Sequence, residues 1–266
     1  MPSVGRLRYL DAPARGAGRP RGTLVLIHGF PFNARLWEPQ LALAGGGWRV
    51  VAPELRGFGD GATGPAGASV DDYAGDVIDL LDALHVEEAV IGGLSMGGYV
   101  TFAMFRHAPR YFQGMVLADT RSQADTPEGV EGRKRMIQLV RDRGVQAVTD
   151  EMMPRLLSDA TTREQPEVVE QLRTLMLSSS ASAVVGGLTA LMTRPDSTPL
   201  LASIRCPTLI IVGAEDTLTP PALSEQMQRA IAGSQLVIIP AAGHLTNLEA
   251  PDAFNTAAGG FLAKRA

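Results

Sequence analysis

A serine between glycines, in Gly93-Leu94-Ser95-Met96-Gly97-Gly98, is the residue of this sequence best suited to act as a nucleophile. A strand-like apolar run (Ala89–Ile91) precedes this segment and a helix-like run (Tyr99–His107) follows it. A serine on a sharp strand-to-helix turn needs small neighbours two residues away on each side, because larger side chains would collide with the adjoining strand and helix. Gly93 and Gly97 meet this need, and the amides that begin a helix can hold an oxyanion. The segment therefore predicts a serine nucleophile.

A nucleophilic serine needs a base, and the sequence contains four histidines. His85 and His107 end helical patterns, where a cation interacts favourably with the helix dipole, so we expect structural roles for them. His28 and His244 each follow a strand-like apolar run closely. Because sites in open parallel sheets form at the carboxyl ends of the strands, both should lie at the same edge as Ser95. His244 follows the last strand and is predicted to be the base.

The base in turn needs a carboxylate that fixes its tautomer and stabilises the imidazolium ion. Asp119 and Asp216 both follow strand-like runs, and Glu215 is adjacent to Asp216. Arg121 offers Asp119 a different ionic partner, and only one of two consecutive residues should face the histidine. We therefore favour Asp216, with Asp119 as the alternative. The order serine, aspartate, histidine along the chain is that of one class of hydrolases.

The elements that must position these residues are short apolar strands. Six continuous runs of this kind are typical of strands buried on both faces of a parallel sheet. They are Thr23–Ile27, Arg49–Ala52, Ala89–Ile91, Met115–Ala118, Leu209–Val212 and Leu236–Ile239. Helical patterns alternate with them, at Val70–Leu84 with Ser69 and Asp72 as capping residues, Pro220–Ile231 and Asp252–Leu262. This alternation predicts an α/β fold with helices on both faces of the sheet.

The alternation stops between residues 121 and 200, where only helical patterns are visible. They are Arg133–Arg143, Gln146–Leu157 and Glu167–Leu177. The segment contains no Phe, Tyr or Trp but five of the ten methionines. We therefore predict a core domain formed by residues 1–120 and 201–266, with a helical cap inserted at residues 121–200.

The same segment suggests what the substrate resembles. Methionine side chains are flexible and adapt to varied apolar shapes, and the segment offers no aromatic ring for stacking. We expect a small-to-medium aliphatic acyl group, although packing within the segment also explains the methionines. The residues expected to line the pocket are Met136, Met152, Met153, His28, Phe32 and Trp37. For Phe32 and Trp37, core packing is an equally good interpretation.

Composition excludes several other functions. The 24 Lys and Arg residues against 28 Asp and Glu give a net charge of −4, so no basic surplus is available for nucleic acid. One cysteine, Cys206, excludes an internal disulfide, and no cluster has zinc-ligand spacing, so we expect neither metal nor cofactor.

The longest charge-free apolar run, residues 89–105, contains four glycines and is shorter than the about 20 residues of a membrane helix. No apolar block lies in the first twenty residues, so we expect no secretory signal and a cytoplasmic location.

With these residues in place, the sequence resembles the α/β-hydrolase superfamily, and within it the small esterases, lactonases and cofactor-free haloperoxidases (perhydrolases). Five motifs carry the resemblance, in family order. They are His28-Gly29-Phe30-Pro31, Pro53-Glu54-Leu55-Arg56-Gly57-Phe58-Gly59, Gly93-Leu94-Ser95-Met96-Gly97-Gly98, Gly213-Ala214-Glu215-Asp216 and Gly243-His244. The resemblance implies a mostly parallel, eight-stranded sheet and a catalytic triad of Ser95, Asp216 and His244. It also implies an oxyanion hole formed by the backbone amides of Phe30 and Met96.

The activity implied by the resemblance is hydrolysis of a carboxylic ester through an acyl-enzyme intermediate. Relatives that open epoxides or cleave carbon–halogen bonds carry an aspartate where Ser95 stands, so that chemistry is excluded here. Enol-lactonases resemble the chain around Ser95, but their cap usually offers an aromatic residue. Lactonase and perhydrolase activities stay open as alternatives. So does a ligand receptor of the same fold that binds without turnover, because a fold does not fix a function.

Overall fold

The sheet is described by a computed structural model that covers residues 1–5, 7–16, 19–59 and 69–265. The strands within these residues are β1 (Ser3–Val4), β2 (Leu7–Ala12), β3 (Gly22–Ile27), β4 (Trp48–Glu54), β5 (Ala89–Leu94), β6 (Phe112–Ala118), β7 (Thr208–Gly213) and β8 (Gln235–Ile239). They form one sheet in the order β1-β2-β4-β3-β5-β6-β7-β8. The pairs from β4 to β8 are parallel, and β1 and β2 are antiparallel to their neighbours. The predicted α/β-hydrolase sheet is confirmed, and each predicted strand is extended at one or both ends.

The sequence patterns missed β1 and β2 at the antiparallel edge. In β2, Leu7, Tyr9 and Ala12 are buried while the residues between them are partly or fully exposed. Such alternation is typical of an antiparallel strand with one solvated face. It differs from the continuous apolar runs on which the strand prediction depended.

Helices cover both faces of the sheet. Outside residues 121–200 they are α1 (Val70–Ala83), α2 (Met96–His107), α7 (Pro221–Ala230), α8 (Thr246–Glu249) and α9 (Pro251–Leu262). The predicted N-cap of helix α1 is present: the Ser69 side chain accepts from the Asp72 amide, and the Asp72 side chain accepts from the Ser69 amide. Successive residues of the central strands alternate between two buried clusters, as Val25 and Leu26 of β3 do. The central sheet is therefore buried on both faces.

Residues 121–200 fold into helices α3 (Pro127–Met152), α4 (Asp159–Glu164), α5 (Pro166–Leu177) and α6 (Ala181–Thr193), with short 3-10 turns. Gly144, with φ 76° and ψ −178°, breaks α3 between two of the predicted helices. The prediction missed α6, in which Gly186 and Gly187 interrupt the apolar pattern. Within the described residues, no single helix is long and apolar enough to cross a membrane. Helices α5 and α6 have the necessary length and hydropathy only when taken together, and the pair is bent by 94°.

Candidate active site

Ser95 lies on the turn between β5 and α2, in a strained backbone conformation with φ 53° and ψ −114°. A Cβ atom on Gly93 would lie 2.1 Å from the Gly97 backbone, and one on Gly97 would lie 2.1 Å from the Ile27 carbonyl oxygen. The Ser95 amide donates to the Ala118 carbonyl at 3.0 Å. Gly93 therefore allows β5 and α2 to approach closely around the serine, and Gly97 allows α2 to approach the end of β3.

The structure brings Ser95, His244 and Asp216 into one hydrogen-bonded chain. Ser95 Oγ lies 2.9 Å from His244 Nε2, and His244 Nδ1 lies 2.8 Å from Asp216 Oδ2. Asp216 follows β7 and His244 follows β8, so both stand at the carboxyl edge where β5 delivers Ser95. The two side chains are buried, whereas the neighbouring Glu215 is exposed.

The surroundings of Asp216 keep it ionised. Its Oδ1 accepts from the amides of Leu218 and Thr219 at 2.8 and 2.9 Å, and its Oδ2 accepts from Thr219 Oγ1 at 2.6 Å. Burial raises the pKa of Asp216, but the charge of His244 and these hydrogen bonds outweigh it, so the pKa falls to about 2. Thr219 is thus a supporting residue that the sequence motifs did not reveal.

The imidazole of His244 is set up to accept a proton from Ser95. Because Nδ1–H donates to Asp216, the lone pair of Nε2 faces the serine hydroxyl, which donates to it. Burial lowers the pKa of His244, but the charge and hydrogen bond of Asp216, with the charges of Asp119 and Glu249, raise it above 6.5 overall. The ring is therefore a stronger base than a free histidine.

Asp119, the alternative acid, is fully buried, and its hydrogen-bond partners do not include His244. Its carboxylate accepts from the amide of Gly213 at 3.0 Å and from the amide and hydroxyl of Thr246 at 3.2 and 2.5 Å. Burial and the charge of Asp216 raise its pKa well above the usual value. The predicted pairing with Arg121 is wrong, because Arg121 bonds instead to Asp125 at 2.7 Å. Asp119 therefore ties the end of β6 to the end of β7 and the start of α8.

The two predicted oxyanion donors follow the neighbouring strands β3 and β5. Phe30 follows β3, and Met96 is the first residue of α2, where a helix leaves its amides without intrahelical acceptors. Neither backbone N–H has a hydrogen-bond acceptor within the described part of the chain. Both amides are therefore available to a negatively charged oxygen.

Glu249 holds the turn that carries His244. Its Oε1 accepts from the amides of Gly243 and Leu245 at 2.9 and 3.1 Å, and its Oε2 accepts from the amide of Ser158 at 2.8 Å. The His244 amide donates to the carbonyl of Leu156 at 3.1 Å. No sequence motif marks this role, because Glu249 is an ordinary acid five residues after His244 and its burial follows only from the fold.

A cavity of about 480 Å³ opens beside the hydrogen-bonded chain, with Ser95 and His244 in its wall. Phe30 and Tyr99 line it from the sheet side. Met136 and Met152, both predicted pocket residues, line it from the helical segment. The cavity is therefore shared between the sheet and residues 121–200.

Three other predicted pocket residues lie elsewhere. Phe32 and Trp37 are fully buried in the hydrophobic cluster on the opposite face from α1 and α2, and Met153 belongs to the same cluster. The Trp37 ring lies 5.8 Å from the ring of Phe254 in α9. Their apolar surface is used for core packing, which was the alternative interpretation for the two aromatic residues.

His28 is also absent from the cavity wall. Its Nδ1 donates to the Gly29 carbonyl at 2.8 Å and its Nε2 accepts from the Leu55 amide at 3.0 Å. Burial lowers its pKa to about 4, so the ring is neutral near pH 7. It joins the loop after β3 to the residue after β4.

The profile of the alpha/beta hydrolase family matches residues 24–257. The chain belongs to this family. It is 30% identical over 237 residues to 3-oxoadipate enol-lactonase 2 of Acinetobacter baylyi, covering 89% of this chain and 87% of that one. A thermophilic esterase from Thermogutta terrifontis, solved with malate bound, is 38% identical with a TM-score of 0.92, covering 97% and 93%. A bromoperoxidase from Bacillus anthracis is 25% identical with a TM-score of 0.84, covering 97% and 95%.

These relatives confirm the predicted membership of the esterase, lactonase and haloperoxidase group. The hydrolase fold and the family indicate an enzyme that acts on a small molecule. Within the described residues, no group of three or more His, Cys, Asp or Glu side chains is arranged to hold a metal ion.

Proposed function

We propose that this α/β hydrolase is a serine hydrolase that cleaves carboxylic esters with small-to-medium aliphatic acyl groups. The observation that carries the proposal is the continuous chain from Ser95 Oγ through His244 to Asp216, with links of 2.9 and 2.8 Å, beside a cavity. The cavity volume of about 480 Å³ suits a ligand of this size.

In the acylation half of the reaction, His244 Nε2 takes the hydroxyl proton as Ser95 Oγ attacks the ester carbonyl. The carbonyl oxygen becomes an oxyanion, and the free amides of Phe30 and Met96 donate to it. Donors of this kind typically contribute roughly 3–4 kcal/mol each in the transition state. Ionised Asp216 stabilises the imidazolium, which then protonates the departing alcohol and leaves an acyl group on Ser95.

In the deacylation half, water takes the place of the alcohol. His244 accepts a proton from the water as its oxygen attacks the acyl carbonyl, and the same two amides stabilise the second oxyanion. Collapse of this intermediate breaks the bond to Ser95 Oγ, which regains its proton from His244. The carboxylic acid leaves and the enzyme is restored.

We also propose that residues 121–200 act as a cap over a core made of residues 1–120 and 201–266. The support is that this segment, between β6 and β7, contains helices and 3-10 turns and no strand among its residues, all of which the structure describes. Met136 and Met152 of α3 line the same cavity as Ser95 of the core. The cap would thus exclude water from the reacting ester and limit the size of its acyl group.

A lactone is a second candidate substrate, because a relative that is 30% identical over most of the chain is named an enol-lactonase. Attack of Ser95 on a lactone follows the same steps, except that the leaving alcohol stays tethered to the acyl group. A panel of esters and lactones of equal carbon number separates the two by their kcat/KM values.

The experiment that tests the proposal compares the wild type with Ser95→Ala on p-nitrophenyl butyrate. The wild type should show a burst of p-nitrophenol followed by steady turnover, and the variant should lose about 10⁶ in kcat. Circular dichroism and thermal melts check that the variant keeps its fold. Near-native turnover by Ser95→Ala would contradict the mechanism. Binding without turnover by the wild type would favour a receptor.

A further inference from the structure

One wall of the cavity carries an excess of positive charge. The Asp125 carboxylate, which is almost fully buried, contacts three guanidinium groups: Arg121 at 2.7 Å, Arg194 at 2.8 Å and Arg133 at 3.1 Å. Burial raises the pKa of Asp125, but the hydrogen bonds and charges of Arg194 and Arg133 lower it overall, so the group is ionised. One negative charge against three positive charges leaves two positive charges without a partner in this cluster.

The excess charge lies beside the proposed reaction centre. Arg121, Arg133 and Asp125 line the same cavity as Ser95 and His244. The excess charge therefore lies in the wall of the cavity that would receive the substrate.

Arg194 adds its charge from behind the cavity wall. Its side chain is 2% exposed, and its guanidinium carbon lies 4.2 Å from the ring centre of Tyr99, which itself lines the cavity. It also donates to the carbonyls of Leu191 and Gln123. Arg194 thus holds Asp125 in place and leaves the other two arginines facing the cavity.

Both of those arginines keep donors for a ligand. Arg121 bonds Asp125 through Nη2, which leaves its Nη1 amino group, while its Nε is buried. Arg133 bonds Asp125 through Nε, which leaves its two terminal amino groups. A guanidinium presents five N–H donors in a planar fork that matches a carboxylate. The cluster therefore has both the charge and the donors of an anion site.

The other charged residues of the cavity wall do not alter this balance. Arg135 and Arg155 are exposed, as are Glu128 and Glu151. Two positive and two negative charges cancel at the solvent-facing part of the wall. Salt screens these exposed charges more strongly than it screens Arg121 and Arg133, whose side chains are each 24% exposed.

We propose that the cavity selects esters or lactones that carry an ionised carboxylate on their acyl part, with Arg121 and Arg133 as the anion subsite. This inference rests on the proposed function, since it names the class of ester that the same site takes. Positive charges that lack a counter-ion in a partly buried wall are costly, and a bound carboxylate supplies the counter-ion. The acyl part is the half of the substrate that stays on Ser95 through both steps, so an anchor there assists both.

The test compares two esters of nearly equal shape. Mono-p-nitrophenyl glutarate carries a terminal carboxylate, and p-nitrophenyl 5-methylhexanoate carries an isopropyl group in its place. The wild type should prefer the glutarate ester by about ten- to hundredfold in kcat/KM, as expected of hydrogen bonds to charged groups. A preference for the neutral ester, or equal use of both, would overturn the proposal.

Variants of the two arginines assign the preference to the cluster. Arg121→Gln and Arg133→Gln should each lower kcat/KM for the glutarate ester about tenfold more than for the neutral ester. Arg229→Gln removes the same charge from α7, where the side chain is 67% exposed, and should leave the ratio unchanged. Equal ratios in the wild type and both cavity variants would refute the subsite.

Two further measurements keep the test independent of folding and of catalysis. If the Gln variants lose stability, the wild-type preference should still weaken as salt shortens the Debye length from about 30 to about 3 Å.

Monomethyl glutarate should bind Ser95→Ala more tightly than methyl 5-methylhexanoate does, as measured by calorimetry. Loss of all ester turnover with this anion binding intact would contradict the proposed function alone. Turnover of neutral esters without anion binding would contradict the subsite alone.

Discussion

Asp216 and Asp119 follow neighbouring strands and are both buried, yet their surroundings shift their pKa values in opposite directions. Asp216 receives two amides, a hydroxyl and the ring of His244, and its pKa falls to about 2. Asp119 receives three donors but no histidine ring, and its pKa rises well above the usual value. Burial is common to both, so the partners decide the difference. One carboxylate bonds to the proposed base, and the other joins the loops that follow β7 and β8.

The largest difference between the two carboxylates should appear on replacing Asp216. Asp216→Asn is expected to lower kcat by about 10⁴, because the amide can favour the wrong imidazole tautomer. Stopped-flow acylation with one activated ester measures the effect. Glu215→Gln is the matched control, since it removes an adjacent but exposed carboxylate and should change turnover little. A nearly wild-type Asp216→Asn enzyme would show that Asp216 is not the acid.

The pH dependence should come next in size. His244 must be neutral to accept the serine proton, and its pKa lies above 6.5, so kcat/KM should fall by about tenfold per pH unit below that pKa. In Asp216→Asn the charge that raises the pKa of His244 is removed, and the midpoint of the residual activity should move to lower pH. A rate that stays constant from pH 8 to about 4 would argue against a histidine base.

The smallest effect on turnover is expected for Asp119→Asn. The amide group would face donors from Gly213 and Thr246, so the free energy of unfolding should fall by about 1–3 kcal/mol. Its kcat should fall by less than about tenfold, equivalent to roughly 1.4 kcal/mol. Urea denaturation and turnover on the same ester measure both quantities. If Asp119→Asn were the inactive enzyme, the roles of the two carboxylates would have to be exchanged.

The parts of the site that could be predicted from sequence are those fixed by local rules. Ser95, Asp216 and His244 each follow a continuous apolar strand, and parallel strands bring their carboxyl ends to one edge. The glycines around Ser95 likewise predicted the tight turn between β5 and α2. For these residues, local pattern and tertiary position agree.

The parts that could not be predicted depend on contacts between distant segments. Thr219 and Glu249 are ordinary polar residues until the fold places them beside Asp216 and around His244. The Arg121 side chain had two nearby acids in sequence, and only the path of the chain selects Asp125. Trp37 could have faced either the cavity or the core, and the position of α9 decides for the core. The sequence shows the charge and size of each of these side chains, but it does not show which way the side chain points.

The contacts of Glu249 determine where residues 121–200 can separate from the rest of the molecule. One of its oxygens holds the turn on both sides of His244 while the other holds Ser158, and Leu156 accepts from the His244 amide. Lifting the segment at this end would break these bonds and release the base. If residues 121–200 move away from the core to admit a substrate, they must therefore do so at another place for His244 to stay in position. Detachment at residues 156–158 would break the hydrogen bonds that hold the turn of His244.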